Sequence, residues 1–249
     1  FRDQDRLVSS LNESLDTINR DLDKQEQIAR FSADDLNKLG FWMATGSGKT
    51  LLMHCHIRQY LHYLGKAGQR QELNRIVLLT PNEGLSRQHK DEFELSGMEA
   101  AFYDRQGGAI FAGRGVDIID IHKLRETSGE KTVAVDTFEG NNLVLVDEGH
   151  RGSGGEEWMD KRARLCAQGF SFEYSATFGQ AIKAAGTATP PREGKPASKG
   201  YSLTQTYAKC ILFDYSYKFF YDDGYGKDFN ILNLAEEREE ETRPLYLTA

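Results

Sequence analysis

The sequence predicts an α/β fold with a doubly wound parallel sheet, on three observations. IVLL within RIVLLT and LVLV within NLVLVDE are continuously apolar rather than alternating, so each strand they form has both faces buried. Segments with helical spacing of apolar residues separate them, which puts a covering helix between successive strands. A glycine-rich GSGKT follows one apolar run and opens a helix, the strand-to-helix turn that such sheets carry at the carboxyl ends of their strands.

Along the chain, residues 4 to 30 place Leu7, Leu11, Leu15, Ile18 and Leu22 three or four apart, which predicts one amphipathic helix used for packing. FSADDLNKL offers a Ser32 cap ahead of Asp34 and Asp35, so a short helix leads to Gly40. FWMA (41–44) is a strand before the glycine loop, KTLLMHCHIRQYLHYL (49–64) a helix, and RIVLLTP (75–81) a strand ended by proline. EGLSRQHKDEFELSG (83–97) reads as a helix stopped by Gly97, VDIIDIHKL (116–124) as strand then helix, and NLVLVDE (142–148) and GFSFEYSAT (169–177) as strands. AAGTATPPREGKPASKG (184–200) lacks periodicity and reads as a flexible linker. ILFDYSYKFFY (211–221), the DDGYG turn and FNILNL (229–234) predict a C-terminal β-hairpin whose aromatics Tyr215, Tyr217, Phe219, Tyr221 and Tyr225 pack a core rather than stack on bases. The organisation expected is an N-terminal helical segment (1–35), a nucleotide-binding domain (36–183), the linker (184–200), and the hairpin with an acidic connector (201–249).

Composition narrows the class. The 249 residues, 39% apolar and 28% charged, are enough for a full hydrophobic core in a globular protein. There is no run of about 18 apolar residues and no leader pattern, so no membrane is expected and the cytoplasm is the predicted compartment. A net charge of −7 argues against a general basic nucleic-acid binder while leaving room for a local groove on phosphates. Cys55, Cys166 and Cys210 lack disulfide or zinc spacing and read as buried thiols. His54 and His56, two apart on a helix, face different ways and do not make a metal pair. A start at Phe1 and an apolar PLYLTA end suggest a piece of a longer protein.

Two stretches carry chemistry. In GSGKT, Gly46 and Gly48 let the backbone turn so that its N–H groups face a polyphosphate at a helix start, with Thr45 and Ser47 completing the loop. Lys49 would neutralise the β and γ phosphates of ATP and the Thr50 hydroxyl would ligate Mg²⁺. The strict pattern GxxxxGK[ST] has glycine where this chain has Met43, but the strand-to-helix context is the one the mechanism needs. In VLVDEGH, four apolar residues deliver Asp147 and Glu148 to the end of a core strand, where Asp147 can hold Mg²⁺ and Glu148 can deprotonate water.

In order, MATGSGKT, TPNEGLSRQ, DEGH and SAT resemble motifs I, Ia, II and III of superfamily 2 helicases and translocases. Pro81, Leu85 and Gln88 match the family's motif Ia spacing, Ser175, Ala176 and Thr177 match motif III, and VDIIDIHKL resembles motif Ib more weakly. Met43 and a DExH box look similar to the ATPase subunits of type III and type I restriction enzymes, although Gly149 departs from the commonest DEAH and no DEAD-box Q motif precedes the loop.

The resemblance covers about residues 36 to 182 and implies a RecA-like domain that binds ATP and Mg²⁺. In it Lys49, Asp147, Glu148 and His150 are catalytic, Pro81, Asn82 and Gln88 lie near the DNA backbone, and Ser175 to Thr177 couple the two sites. It also implies duplex DNA as partner, methyltransferase or nuclease subunits, a bacterial restriction or phage-defence setting, and a second RecA-like domain with an arginine finger. Nothing after Thr177 matches that second domain, and Arg238 and Arg243, in an acidic run, make poor fingers, so the fragment alone is expected to bind ATP better than it hydrolyses it. Asp222, Asp223, Lys227 and Asp228 form no PD-(D/E)xK nuclease pattern. An ATP-gated DNA- or protein-binding module with little turnover is the alternative; a small-molecule kinase would leave motifs Ia and III without a role.

Overall fold

The apolar runs become strands of one seven-stranded, all-parallel sheet in the computed structural model, which describes residues 3–24, 27–103, 115–125, 133–134, 138, 140–148, 156–178, 207 and 209–226. The strands are β1 (Lys38–Met43), β2 (Arg75–Thr80), β3 (Ala100–Phe102), β4 (Val116–Asp120), β7 (Asn142–Asp147), β8 (Phe170–Ser175) and β9 (Ile211–Tyr215). A separate pair is made by β5 (Leu124–Arg125) and β6 (Val133–Ala134). The helices are α1 (Gln4–Arg20), α2 (Lys49–Lys66), α3 (Glu83–Leu95), α4 (Glu156–Leu165) and α5 (Tyr217–Asp222). Across the sheet the order is β3-β4-β2-β7-β8-β1-β9.

Both faces of the central strands are buried, as their unbroken apolar character requires. Ile76 and Leu78 of β2 and Leu143 and Leu145 of β7 face one core with Met53 and Ile57 of α2 and Phe93 of α3. Val77 and Leu79, Val144 and Val146 face the other, with Leu165 of α4 and Cys166. The fold class predicted from sequence is therefore the one formed.

The N-terminal segment differs from expectation. The helix ends at Arg20, and residues 27–31 return along it, held by two asparagines. Asn19 Nδ2 donates to Ile28 O at 2.8 Å while its Oδ1 accepts from Ile28 N at 2.9 Å. Asn12 does the same for Phe31, Nδ2 donating to its O at 3.0 Å and Oδ1 accepting from its N at 2.7 Å. Seven helical residues rise about 10.5 Å and three extended ones about 10 Å, so one helix face can serve both backbone sites. Asn12 and Leu15 are buried on that face while Ile18 is 54% exposed, so a polar clasp replaces part of the apolar stripe. Asn12→Ala should cost about 1–2 kcal/mol for its two lost bonds. Amide exchange should quicken at Phe31 and stay unchanged in the sheet; protection at Phe31 equal to wild type would show that the clasp is dispensable.

The first strand predicted for the C-terminal hairpin, 211–221, is not one strand: it breaks after Tyr215. Residues Ile211–Tyr215 instead pair in parallel with β1 at the sheet edge, from Gly40↔Ile211 to Met43↔Tyr215, so the sheet continues past the boundary drawn at residue 183. The chain then enters α5 after Ser216. The aromatic run fits two periods: Tyr217 and Tyr221 are four apart, and as a helix they bring their rings to 6.0 Å, while Phe220 meets Tyr215 edge-on. Tyr217, Phe219, Tyr221 and Tyr225 are exposed, so they do not form the core expected of them. FNILNL, the 184–200 linker, Lys227, Asp228, and the acidic run with Arg238 and Arg243 lie outside the described residues.

Cys166 and Cys210 are buried, but Cys55 is exposed on α2, contrary to the expectation of three buried thiols. His54 and His56 do point apart. His54 stacks on Phe93 with Nδ1 2.7 Å from Ser96 Oγ, and His56 lies against Phe41 and Phe172 with Nδ1 2.6 Å from Tyr174 Oη.

Burial lowers the pKa of both imidazoles below their ordinary 6.5, and for His54 the neighbouring His89 adds to the effect. Below pH 6.5 the unfolded chain therefore binds protons that the folded chain resists. Stability is complete above that value and declines as pH falls from it toward the folded pKa. Denaturant midpoints should fall over this acidic window, and His56→Gln, which keeps a partner for Tyr174, should flatten the decline. An unchanged slope in that variant would remove His56 from the account.

Candidate active site

Parallel pairing aligns the carboxyl ends of three strands. Trp42 of β1 sits opposite Ser175 of β8, and Tyr174 of β8 lies between Phe41 and Asp147 of β7. Because β8 separates β1 from β7, the glycine loop after β1 and the acidic pair after β7 flank the SAT segment. This end of a parallel sheet is where ligands bind in such folds.

The loop is built by its glycines. Gly46 has φ 82° and Gly48 φ 89°, left-handed values that side chains disfavour, and a Cβ at either would meet nothing within 4 Å. Conformation, not space, demands glycine here. Gly48 caps α2, so the unpaired N–H groups of that helix start face the loop opening. Ser47 Oγ donates to Ala44 O at 2.7 Å and tightens the turn, while Thr45 and Gly46 are exposed. Lys49 Nζ reaches the carbonyls of Met43 and Ala44 at 3.5 Å each and lies 4.0 Å from Glu148 Oε1. The loop lysine and the carboxylate after β7, distant in sequence, thus come within ion-pair range of one another.

Asp147 is 8% exposed, and both its oxygens are engaged. Oδ1 accepts from Glu148 N at 3.0 Å and Oδ2 is 2.9 Å from His89 Nε2. Each oxygen retains a second lone pair, so the carboxylate can still serve a cation. Glu148 has φ 53°, a strained value for a side-chain-bearing residue and the one such non-glycine case among the described residues. Such strain concentrates at functional sites and here aims the carboxylate toward Lys49.

The donors suit Mg²⁺: the Asp147 carboxylate and the Thr50 hydroxyl in the first turn of α2 are hard oxygens. Among the described residues no group of three or more His, Cys, Asp or Glu could hold a metal alone, so a cation here would complete its shell with phosphate and water.

The other expected site residues are distributed as follows. His150 lies outside the described residues. Pro81 is buried, Asn82 Oδ1 caps α3 by accepting from Leu85 N at 2.9 Å, and Gln88 is exposed on α3. Ser175 is fully buried and accepts from Thr177 N at 3.1 Å, and Ala176 O accepts from Trp42 Nε1 at 3.1 Å. The SAT segment is thus fastened to the strand that ends in the glycine loop. His89 was not among the residues singled out from sequence; its one signal was a histidine directly after Gln88, on the inward side of a predicted helix.

The Type III restriction enzyme, res subunit family matches residues 2–192, most of the chain. The chain belongs to this family. Its match spans the glycine loop, Asp147, Glu148 and the SAT segment, and identifies a helicase-type ATPase domain. No curated protein matches the sequence.

Solved structures similar to it are remote. They include the helicase nonstructural protein 10 of an arterivirus (11% identity, TM-score 0.37, 73% of this chain and 35% of that one). The Hef helicase domain of Pyrococcus furiosus has 14% identity and TM-score 0.40, covering 84% and 38%, and the UvsW helicase of bacteriophage T4 has 12% and 0.42, covering 82% and 67%. The chain spans little more than a third of the first two, and likeness at this level carries no inference about function. Among the described residues no helix is long and apolar enough to cross a membrane.

Proposed function

We propose that this chain is the ATP-binding half of a DExH-type ATP-dependent DNA helicase or translocase. The observation that carries the reading is the approach of Lys49 Nζ to Glu148 Oε1, 4.0 Å apart, at the mouth of a glycine loop and beside a buried Asp147. In this reading the amides around Gly46 and Gly48, with Thr45 and Ser47, wrap the ATP phosphates, and Lys49 leaves the Met43 and Ala44 carbonyls to bind β and γ oxygens. Thr50 and Asp147 hold Mg²⁺, which when bound neutralises charge on those oxygens. Glu148 accepts the proton of the attacking water, and His150 links this step to the SAT segment.

DNA as partner and a restriction role are supported by the family's description as a restriction enzyme subunit, and from that role we infer phage defence in a bacterial cytoplasm. Asn82 and Gln88, exposed at the start and on the outer side of α3, would contact the DNA backbone, giving affinity without sequence choice. Pro81, being buried, shapes that turn rather than touching DNA. A second RecA-like domain would supply the arginine finger, and methyltransferase or nuclease subunits would supply modification and cleavage.

The full-length protein should bind ATP with Mg²⁺ and hydrolyse it faster when duplex DNA is added, and Lys49→Ala should lose nucleotide binding. A full-length protein that neither binds ATP nor responds to DNA would overturn the reading.

A further inference from the structure

Asp147, the buried carboxylate of the site, has its closest side-chain partner on a different element. His89 of α3 places Nε2 2.9 Å from Asp147 Oδ2, and the two side chains are 4% and 8% exposed. An ionised carboxylate only accepts, so Nε2 carries the hydrogen. On the other side of the ring, His89 Nδ1 is buried and has no hydrogen-bond partner among the described residues. An unsatisfied buried nitrogen carries a desolvation cost that a leucine filling the same space would avoid. Packing therefore does not account for a histidine here, whereas the bond to Asp147 does.

The helix that carries this ring is firmly seated. Asn82 caps its first turn, and Ser86 Oγ lies 2.6 Å from Thr80 Oγ1 at the end of β2. The residue before His89, Gln88, is exposed on the outer side of the same helix. One helix thus presents a polar side chain to solvent and, one residue later, grips the carboxylate at the end of β7.

We propose that His89 is a positioning residue that holds Asp147 in the orientation needed for the metal. This rests on the nucleotide-site reading above. His89 takes no part in the reaction itself; it fixes one oxygen of Asp147 so that the other lone pairs point toward the glycine loop.

The test uses the full-length protein with ADP and Mn²⁺ as the probe, with bound Mn²⁺ read by electron paramagnetic resonance and folding by thermal unfolding. His89→Leu should weaken Mn²⁺ affinity by about 10- to 100-fold. ADP affinity without metal should stay at the wild-type value. His89→Gln, whose amide can donate from a similar reach, should recover most of the loss, and His89→Asn, whose amide is shorter, should not. Should the leucine variant fail to fold, the Gln and Asn pair decides the matter. Wild-type Mn²⁺ affinity in folded His89→Leu, or equal affinities in the Gln and Asn variants, overturns the proposal. If the unmodified protein binds no Mn²⁺ with ADP, the nucleotide-site reading itself falls.

Discussion

In the full-length protein, Glu148→Gln is expected to cut DNA-stimulated ATP hydrolysis by about 10²- to 10⁴-fold, the usual contribution of a positioned general base. ATP binding should persist. The substitution keeps the size and hydrogen-bonding capacity of the side chain but removes its ability to take a proton. Lys49, the residue facing Glu148 at 4.0 Å, is left to bind phosphate, and Asp147 keeps its bonds to His89 and to the backbone of residue 148. Phosphate release and equilibrium binding of a fluorescent nucleotide separate the two effects. Hydrolysis that survives would remove Glu148 as the base. Wild-type binding by a protein that shows no turnover even before substitution would favour the ATP-gated binding module over the motor.

The second large effect concerns stability. Glu173 of β8 and Arg162 of α4 form a buried ion pair, and Arg162 Nη1 donates to Tyr207 Oη at 2.9 Å. Burial opposes the charge on Arg162, but the Glu173 carboxylate overcomes it and raises the guanidinium pKa. Nearby, burial pushes the Cys166 thiol up to about 12, with Glu173 reinforcing the shift. Removing one partner strands the other charge in the interior. Glu173→Leu or Arg162→Leu should therefore each destabilise the fold by about 3–5 kcal/mol, and the double variant should lose much less than the sum. Denaturant unfolding of the three variants checks this. Single-variant losses that simply add in the double would mean that the two charges do not depend on one another. The pair fastens α4 to β8, the strand that leads into the SAT segment, so its failure should also disturb the site.

Much of the fold was legible because its signals are local. Unbroken apolar runs marked β2 and β7 as strands covered on both faces, and GSGKT marked a strand-to-helix turn whose positive φ angles only glycine adopts easily. The acidic pair at 147–148 was legible for the same reason, since a strand that ends in charge must end at the edge of the core. Misreadings arose where one stretch fits two local patterns. Tyr215 to Tyr221 satisfies both alternation and i, i+4 spacing, and only the place of β9 beside β1 selected strand followed by helix. Likewise the stripe through 4–30 continued past the point where Asn12 and Asn19 capture the returning chain.

The sequence alone was sufficient for the α/β class and for the position of a glycine loop and an acidic pair at strand ends, because each depends on residues adjacent in the chain. Tertiary structure decided which of these meet. Strand order set β8 between β1 and β7, brought Lys49 to Glu148, placed His89 against Asp147 and buried Arg162 with Glu173. Those contacts join residues far apart in sequence, and no local period encodes them; they follow from how buried strands stack their ends and from the high cost of leaving charge unpaired between them.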